Sequence, residues 1–196
     1  MSNNRVMVFI DGSNLYKGVK EGLKTDKLVD IEKLAKKLVD NRTLERIYFY
    51  TTPTPSSDPL VMQSNQKFLD RLGWIDNLQV RKGRIVPRAH EFICNKCNEK
   101  QTYKTYIQKG VDTRIVVDMV TLAVNDSYDV AILVSGDSDL SEALNLIREH
   151  THKKVENACV PDISWAKTLR EASDKRISLT LEYLKDCFLP SHSTMI

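Results

Sequence analysis

The sequence predicts an α/β fold, a Rossmann-like three-layer sandwich around a central, mainly parallel sheet. Three observations predict it. Short β-branched runs alternate with segments of helical periodicity along the chain. Two of those runs, around Val6–Ile10 and Val130–Val134, hold no polar residue, as strands covered on both faces require. Each runs straight into an aspartate turn, Asp11-Gly12 after the first and Ser135-Gly136-Asp137-Ser138-Asp139 after the second. In open parallel sheets, ligands bind beyond the strand carboxyl ends.

The elements follow in order. Arg5–Ile10 is a buried strand, and Ser13–Lys20 a short helix that Ser13 or Asn14 can cap. Asp30 caps a second helix whose Ile31, Leu34, Ala35, Leu38 and Val39 share one face. Arg46–Thr51 is a strand, and the prolines at 53, 55 and 59 mark a loop. Leu60–Leu72 returns to helical periodicity and stops at Gly73. Leu78–Val86 alternates as a strand or hairpin, a Cys94–Cys97 loop follows, and Tyr103–Ile107 is a further strand candidate. Val111–Val124 is helical, Val130–Val134 a strand, Leu140–Glu149 a helix and Lys154–Val160 a strand. Ser164–Ala172 and Leu179–Phe188 close the chain as helices, and Ser191–Ile196 is a frayed tail.

With 196 residues, 41% hydrophobic and 28% charged, the chain fits one globular domain over 1–190. No apolar run is long enough to span a bilayer, so no membrane partner is expected. The start lacks a secretory pattern, which makes the cytoplasm the expected location and leaves the four cysteines as thiols or metal ligands. No GxxxxGK[ST] loop appears, and no Ser-His-Asp hydrolase trio is evident. Net charge is only +3, but residues 77–110 carry eight Lys or Arg against two acids, a basic insert in a neutral-to-acidic body. That is either a solvated hairpin or a surface for a polyanion.

Asp11, Asp137 and Asp139 follow strands, and Asp112 opens the Val111–Val124 helix. Each alone is a turn or a cap. If the two apolar runs are parallel neighbours, the acids meet at one sheet edge, where crowded carboxylates call for a hard cation. Mg²⁺ or Mn²⁺ suits an all-oxygen site and would serve phosphate chemistry. Asp112 gains from the helix dipole. Asp118 lies about 600° further round that helix, so not on the same face, and either supports the site or pairs with a base such as Arg114. Asp174 reads as structural.

Phe9-Ile10-Asp11-Gly12-Ser13-Asn14, Lys109-Gly110-Val111-Asp112 with Asp118, Leu133-Val134-Ser135-Gly136-Asp137-Ser138-Asp139 and Leu169-Arg170-Glu171-Ala172-Ser173-Asp174 together resemble the NYN domain family, LabA-like members of the PIN-like nuclease superfamily. The resemblance spans nearly the whole chain. It implies a five-stranded parallel core and metal-dependent RNA cleavage, with Asp11, Asp112, Asp137 and Asp139 as catalytic metal ligands. Asn14 and Ser135 match positions beside them and, with Asp118, are supporting candidates. Many relatives look acidic before the motif lysine, where this chain has Gln108. The expected function is a divalent-metal-dependent ribonuclease acting on single-stranded or structured RNA. The alternative is a PIN-like module that binds RNA or protein with little or no catalysis.

The insert supplies RNA-binding candidates Arg81, Lys82, Arg84, Arg88, Lys104 and Lys109. Phe92, Tyr103 and Tyr106 lie among them, to stack on bases or to pack onto the body. His90, Cys94 and Cys97 have zinc-like spacing but lack a fourth ligand, which a partner chain in a homodimer could complete. Reduced thiols at a loop tip are the alternative. His150 and His152 read as surface residues.

Overall fold

Six parallel strands make the central sheet: β1 (Arg5–Asp11), β2 (Thr43–Thr51), β3 (Leu78–Lys82), β6 (Val130–Val134), β7 (Lys154–Cys159) and β8 (Lys175–Ser178). Their order is β3-β2-β1-β6-β7-β8. The computed structural model describes residues 4–52, 58–94, 97–161 and 166–190. The proline loop, the start of the helix expected from Ser164 and the tail 191–196 lie wholly or partly outside those residues. The sheet has one strand more than the family resemblance implies. β8 escapes sequence reading because it is four residues long and begins with Lys175-Arg176.

Strand alternation builds both layers. Val6, Val8 and Ile10 of β1 face α1 (Gly12–Lys17), α2 (Ile31–Val39), α3 (Pro59–Leu72) and the short α7 (Leu181–Leu184). Met7 and Phe9 face α4 (Val111–Val124), α5 (Ser141–His150) and α6 (Lys167–Glu171). The α2 stripe is buried as its periodicity predicts, and Asp30 accepts the Lys33 N–H at 3.2 Å. Phe9 stacks on Tyr48 at 5.3 Å and meets Tyr128 edge-on at 5.9 Å. Among the described residues, no helix is long and apolar enough to cross a membrane.

The basic stretch divides at Gly83. Leu78–Lys82 joins the main sheet beside β2, while β4 (Arg84–Ile93) and β5 (Lys100–Lys109) form a separate antiparallel arm. Gly83 donates its N–H to Thr51 O at 2.8 Å, continuing the β2 pairing before the chain departs. A Cβ there would stand 2.7 Å from Thr52 Oγ1 and 3.0 Å from Lys109 O. Only glycine fits where the two arm strands leave the body. The arm therefore begins at 84, not 77. The expected closing helix Leu179–Phe188 is instead the short α7 followed by a tighter turn, Lys185–Cys187.

Candidate active site

β1 and β6 are the neighbours at which strand order reverses, and their carboxyl ends form the natural ligand crevice of such a sheet. Asp11 ends β1 and caps α1 itself, in place of Ser13 or Asn14: its Oδ1 accepts the Asn14 N–H at 3.0 Å. Ser135 follows β6 and donates its hydroxyl to Asp11 Oδ2 at 3.4 Å. The same Ser135 oxygen accepts the Asp137 N–H at 3.2 Å, and Gly136 donates its N–H to Asn14 Oδ1 at 2.9 Å. Asp137 accepts the Asp139 N–H at 3.1 Å and caps the turn Ser138–Leu140. Asn14 and Ser135 thus tie the two aspartate turns together across more than a hundred residues of chain.

Asp112 approaches from α4. Gly110, at φ +85°, caps that helix in the left-handed region, a conformation that a side chain would strain. This turn brings Asp112 within electrostatic reach of Asp11, Asp137 and Asp139. Burial pushes the Asp11 carboxyl above its ordinary range; the Asn14 N–H opposes that rise and Asp112 adds to it. Asp112 also titrates high, first through lost hydration and then through repulsion from Asp137 and Asp139. Its side chain still faces solvent, which damps the effect. Among the described residues, none of the four is ion-paired.

This donor set fits a hard divalent cation. Its oxygens come from carboxylates, a carboxamide and a hydroxyl, and among the described residues no cation pairs with the ionised form of buried Asp11. Among the described residues, no three His, Cys, Asp or Glu side chains stand close enough to hold one ion outright. Such ions keep several waters and need only one or two direct carboxylates, so a fit does not require three side chains closed on one point.

Two expectations change with the structure. Of the two readings of Asp118, the structure shows the pairing with a base: it accepts the Tyr50 hydroxyl at 2.8 Å and lies 3.3 Å from Arg81 Nε, so the partner is Arg81 and not Arg114. Arg81 also sits 5.6 Å from the Tyr48 ring, which makes this RNA-binding candidate part of the scaffold. His90 does not join the cysteines. It lies in extended β4, about 13 Å along the chain from Cys94 at 3.3 Å per residue, with Nε2 2.8 Å from Thr105 Oγ1 and its ring stacked on Tyr103. Cys94 and Cys97 remain together at the arm's tip, where the Asn98 N–H donates to Cys94 O at 2.8 Å.

Lys82, Arg84, Arg88, Lys104 and Lys109 are exposed. Arg84 and Lys109 are cross-strand partners at the arm's base, where the neighbouring Gln108 lies 3.5 Å from Ser13 Oγ. Phe92, Tyr103 and Tyr106 are exposed rather than packed onto the body. His150 and His152 lie at the surface. Asp174 is structural: it accepts the Val155 N–H at 2.8 Å and pairs with Arg148. Sequence reasoning missed Asn157, fully buried in β7, whose carboxamide donates to Ser135 O at 2.9 Å and Leu133 O at 3.2 Å. A carboxamide inside an otherwise buried strand was the available signal.

The family model of the NYN domain matches residues 5–181. The "Low amplitude and bright protein LabA" of Synechococcus elongatus is 27% identical over 180 residues, covering 90% of this chain and 84% of that protein. A crystal structure of a protein of unknown function from Vibrio parahaemolyticus shares the fold, with TM-score 0.64 and 19% identity over 95% of this chain and 97% of that one.

Proposed function

This chain belongs to the NYN domain family, and from that premise we propose that it is a divalent-metal-dependent endoribonuclease. The observation that carries the proposal is the meeting of Asp11, Asp112, Asp137 and Asp139 at the reversal point of the sheet. Asp11 and Asp137 would hold Mg²⁺ or Mn²⁺, with Asp112 and Asp139 reaching it directly or through water. Bound there, the cation supplies Lewis-acid stabilisation of phosphate charge and an acidified water.

The protein's own groups do the rest. Asn14 and Ser135 orient Asp11 and the Asp137 turn through the bonds described above. Asp112, whose carboxyl titrates above its ordinary range, would take the proton of the attacking water on a carboxylate oxygen. Lys109 and Arg84 neutralise backbone phosphates entering the crevice, while Lys82, Arg88 and Lys104 extend the track. The exposed arm rings stack on unpaired bases.

The test is Asp137→Asn. Mn²⁺-dependent cleavage of single-stranded RNA should fall below detection with the circular dichroism spectrum unchanged; undiminished cleavage rejects the assignment. A second reading is a module that binds RNA without cutting it, favoured by the absence of three ligands already closed on one point among the described residues. Under that reading the unmodified protein does not cleave, and Asp137→Asn keeps or raises RNA affinity by removing repulsion.

A further inference from the structure

A cavity of ≈ 500 Å³ lies between α1 and α3, with none of the four acids in its lining. Its size falls among those of small-molecule sites. Gly12 and Ser13, which directly follow Asp11, line its inner end, so cavity and acidic edge share one turn. Gly12 is held there by space: a Cβ would come within 2.5 Å of Phe49 Cζ and 2.8 Å of Tyr50 O. Phe49 and Phe68 wall the cavity, edge-to-face at 5.8 Å and 68°. Tyr16 and Val61 line it while 53% and 45% exposed.

Its polar groups are few and of distinct kinds. Ser64 and Asn65 of α3 line it from an exposed face. Thr52, 4% exposed, also lines it, but its hydroxyl is sealed from solvent beside Gly83, leaving Ser13 and Ser64 as the hydroxyls at the cavity surface. Lys20 and Lys27 contribute cationic lining, Lys20 holding its ammonium 3.4 Å from the Tyr16 hydroxyl and 5.6 Å from the ring centroid. Aromatic walls, a carboxamide and hydroxyls for a polar ring edge, and two cations for an anionic backbone together match a nucleotide. They match neither an acyl chain, which needs no such polar set, nor a purely apolar helix face.

We propose that this cavity receives one unpaired nucleobase of the RNA strand, the base of a nucleotide flanking the phosphate at the acids. The proposal rests on the RNA reading above and names where a base is held. Continuity through Gly12-Ser13 commits the occupant to the same strand. The arm then grips the strand at one place, and the cavity at another.

The test uses a fluorescently labelled single-stranded oligoribonucleotide in EDTA, so that binding is read without cleavage. A single abasic nucleotide is moved stepwise through the sequence. The unmodified protein should bind the complete strand about tenfold tighter than the strand whose abasic position falls in the cavity. Asn65→Trp, an exposed substitution that fills the cavity, should remove that discrimination while keeping the circular dichroism spectrum. Tyr16→Ala should reduce it.

Three results overturn the proposal: abasic positions that all bind alike, discrimination unchanged in Asn65→Trp, or self-association that Asn65→Trp abolishes, which would give the cavity to a second copy. Failure of the cleavage reading shows separately. Base discrimination by an unmodified protein that does not cut RNA in Mn²⁺ supports the cavity and retires the nuclease.

Discussion

Replacing Asp11 by asparagine tests the acidic crevice through stability rather than activity. Asp11 is 5% exposed, and burial lifts its carboxyl above the ordinary carboxylate range. The sign of the linkage follows. Well below the unfolded value of about 3.9, both states are protonated and the group is neutral to stability. As pH rises past that value, the unfolded chain releases its proton first. Stability then falls until the folded carboxyl also ionises, and stays lowered above that point.

Asparagine keeps the Oδ1 that accepts the Asn14 N–H and ranks with aspartate as a helix cap, while its Nδ2 replaces the Oδ2 that accepted the Ser135 hydroxyl, which turns to accept instead. In EDTA at pH 7.5 the variant should therefore be more stable by about 1–2 kcal/mol, the scale of relieving one strained functional group. For a domain of this size that is about 2–8 °C in Tm. The difference should narrow as pH falls towards 4. Mn²⁺ at a hundred times its Kd should stabilise the unmodified protein by about 2.7 kcal/mol, or about 5–10 °C. It should leave Asp11→Asn nearly unmoved. Thermal unfolding followed by circular dichroism reads both effects. A variant less stable than its parent in EDTA, or an equal Mn²⁺ shift in both proteins, would refute the reasoning.

Three further outcomes are expected. Gly12→Ala forces a methyl to 2.5 Å from Phe49 Cζ and 2.8 Å from a sheet carbonyl; it should cost about 1–3 kcal/mol in urea unfolding. Arg88→Glu with Lys104→Glu on the arm should weaken binding to single-stranded RNA and flatten the log–log salt slope by about 0.7 for each phosphate no longer neutralised, with the unfolding midpoint unchanged. Glu156→Gln breaks a two-pronged pair with Arg42, at 2.7 and 3.1 Å, in which the Glu156 side chain is only 9% exposed. It should lower unfolding free energy by about 3 kcal/mol, and a change within experimental error would show the pair to be energetically neutral.

Local pattern reveals most of the layers because it follows from the nearest few residues. The stripe Ile31, Leu34, Ala35, Leu38 and Val39 needs only the helical period to be found. The all-apolar runs of β1 and β6 need only burial on both faces. Local pattern fails where a partner far along the chain decides. Gly83 divides Leu78–Val86 because Thr52, Lys109 and Val111 press on it. β8 exists because β7 offers an edge to Lys175–Ser178. Asp118 pairs with Arg81 because β3 lies beside β2 and beneath α4.

By itself the sequence determined the alternation of strands and helices, the placing of Asp11, Asp137 and Asp139 at or just past strand ends, and the concentration of cations between Arg81 and Lys109. These are properties of period, spacing and composition. Only the tertiary structure decided that Asp112 comes within electrostatic reach of the other three acids, that Ser135 reaches Asp11, that Asn157 holds the Ser135 turn, and that a cavity opens beside Gly12. Each depends on strand order and on the packing of distant segments, Ser135 and Asp11 being 124 residues apart. The pairing of β1 with β6, which no local preference specifies, sets the Ser135–Asp11 contact, and the pairing of β6 with β7 sets that of Asn157.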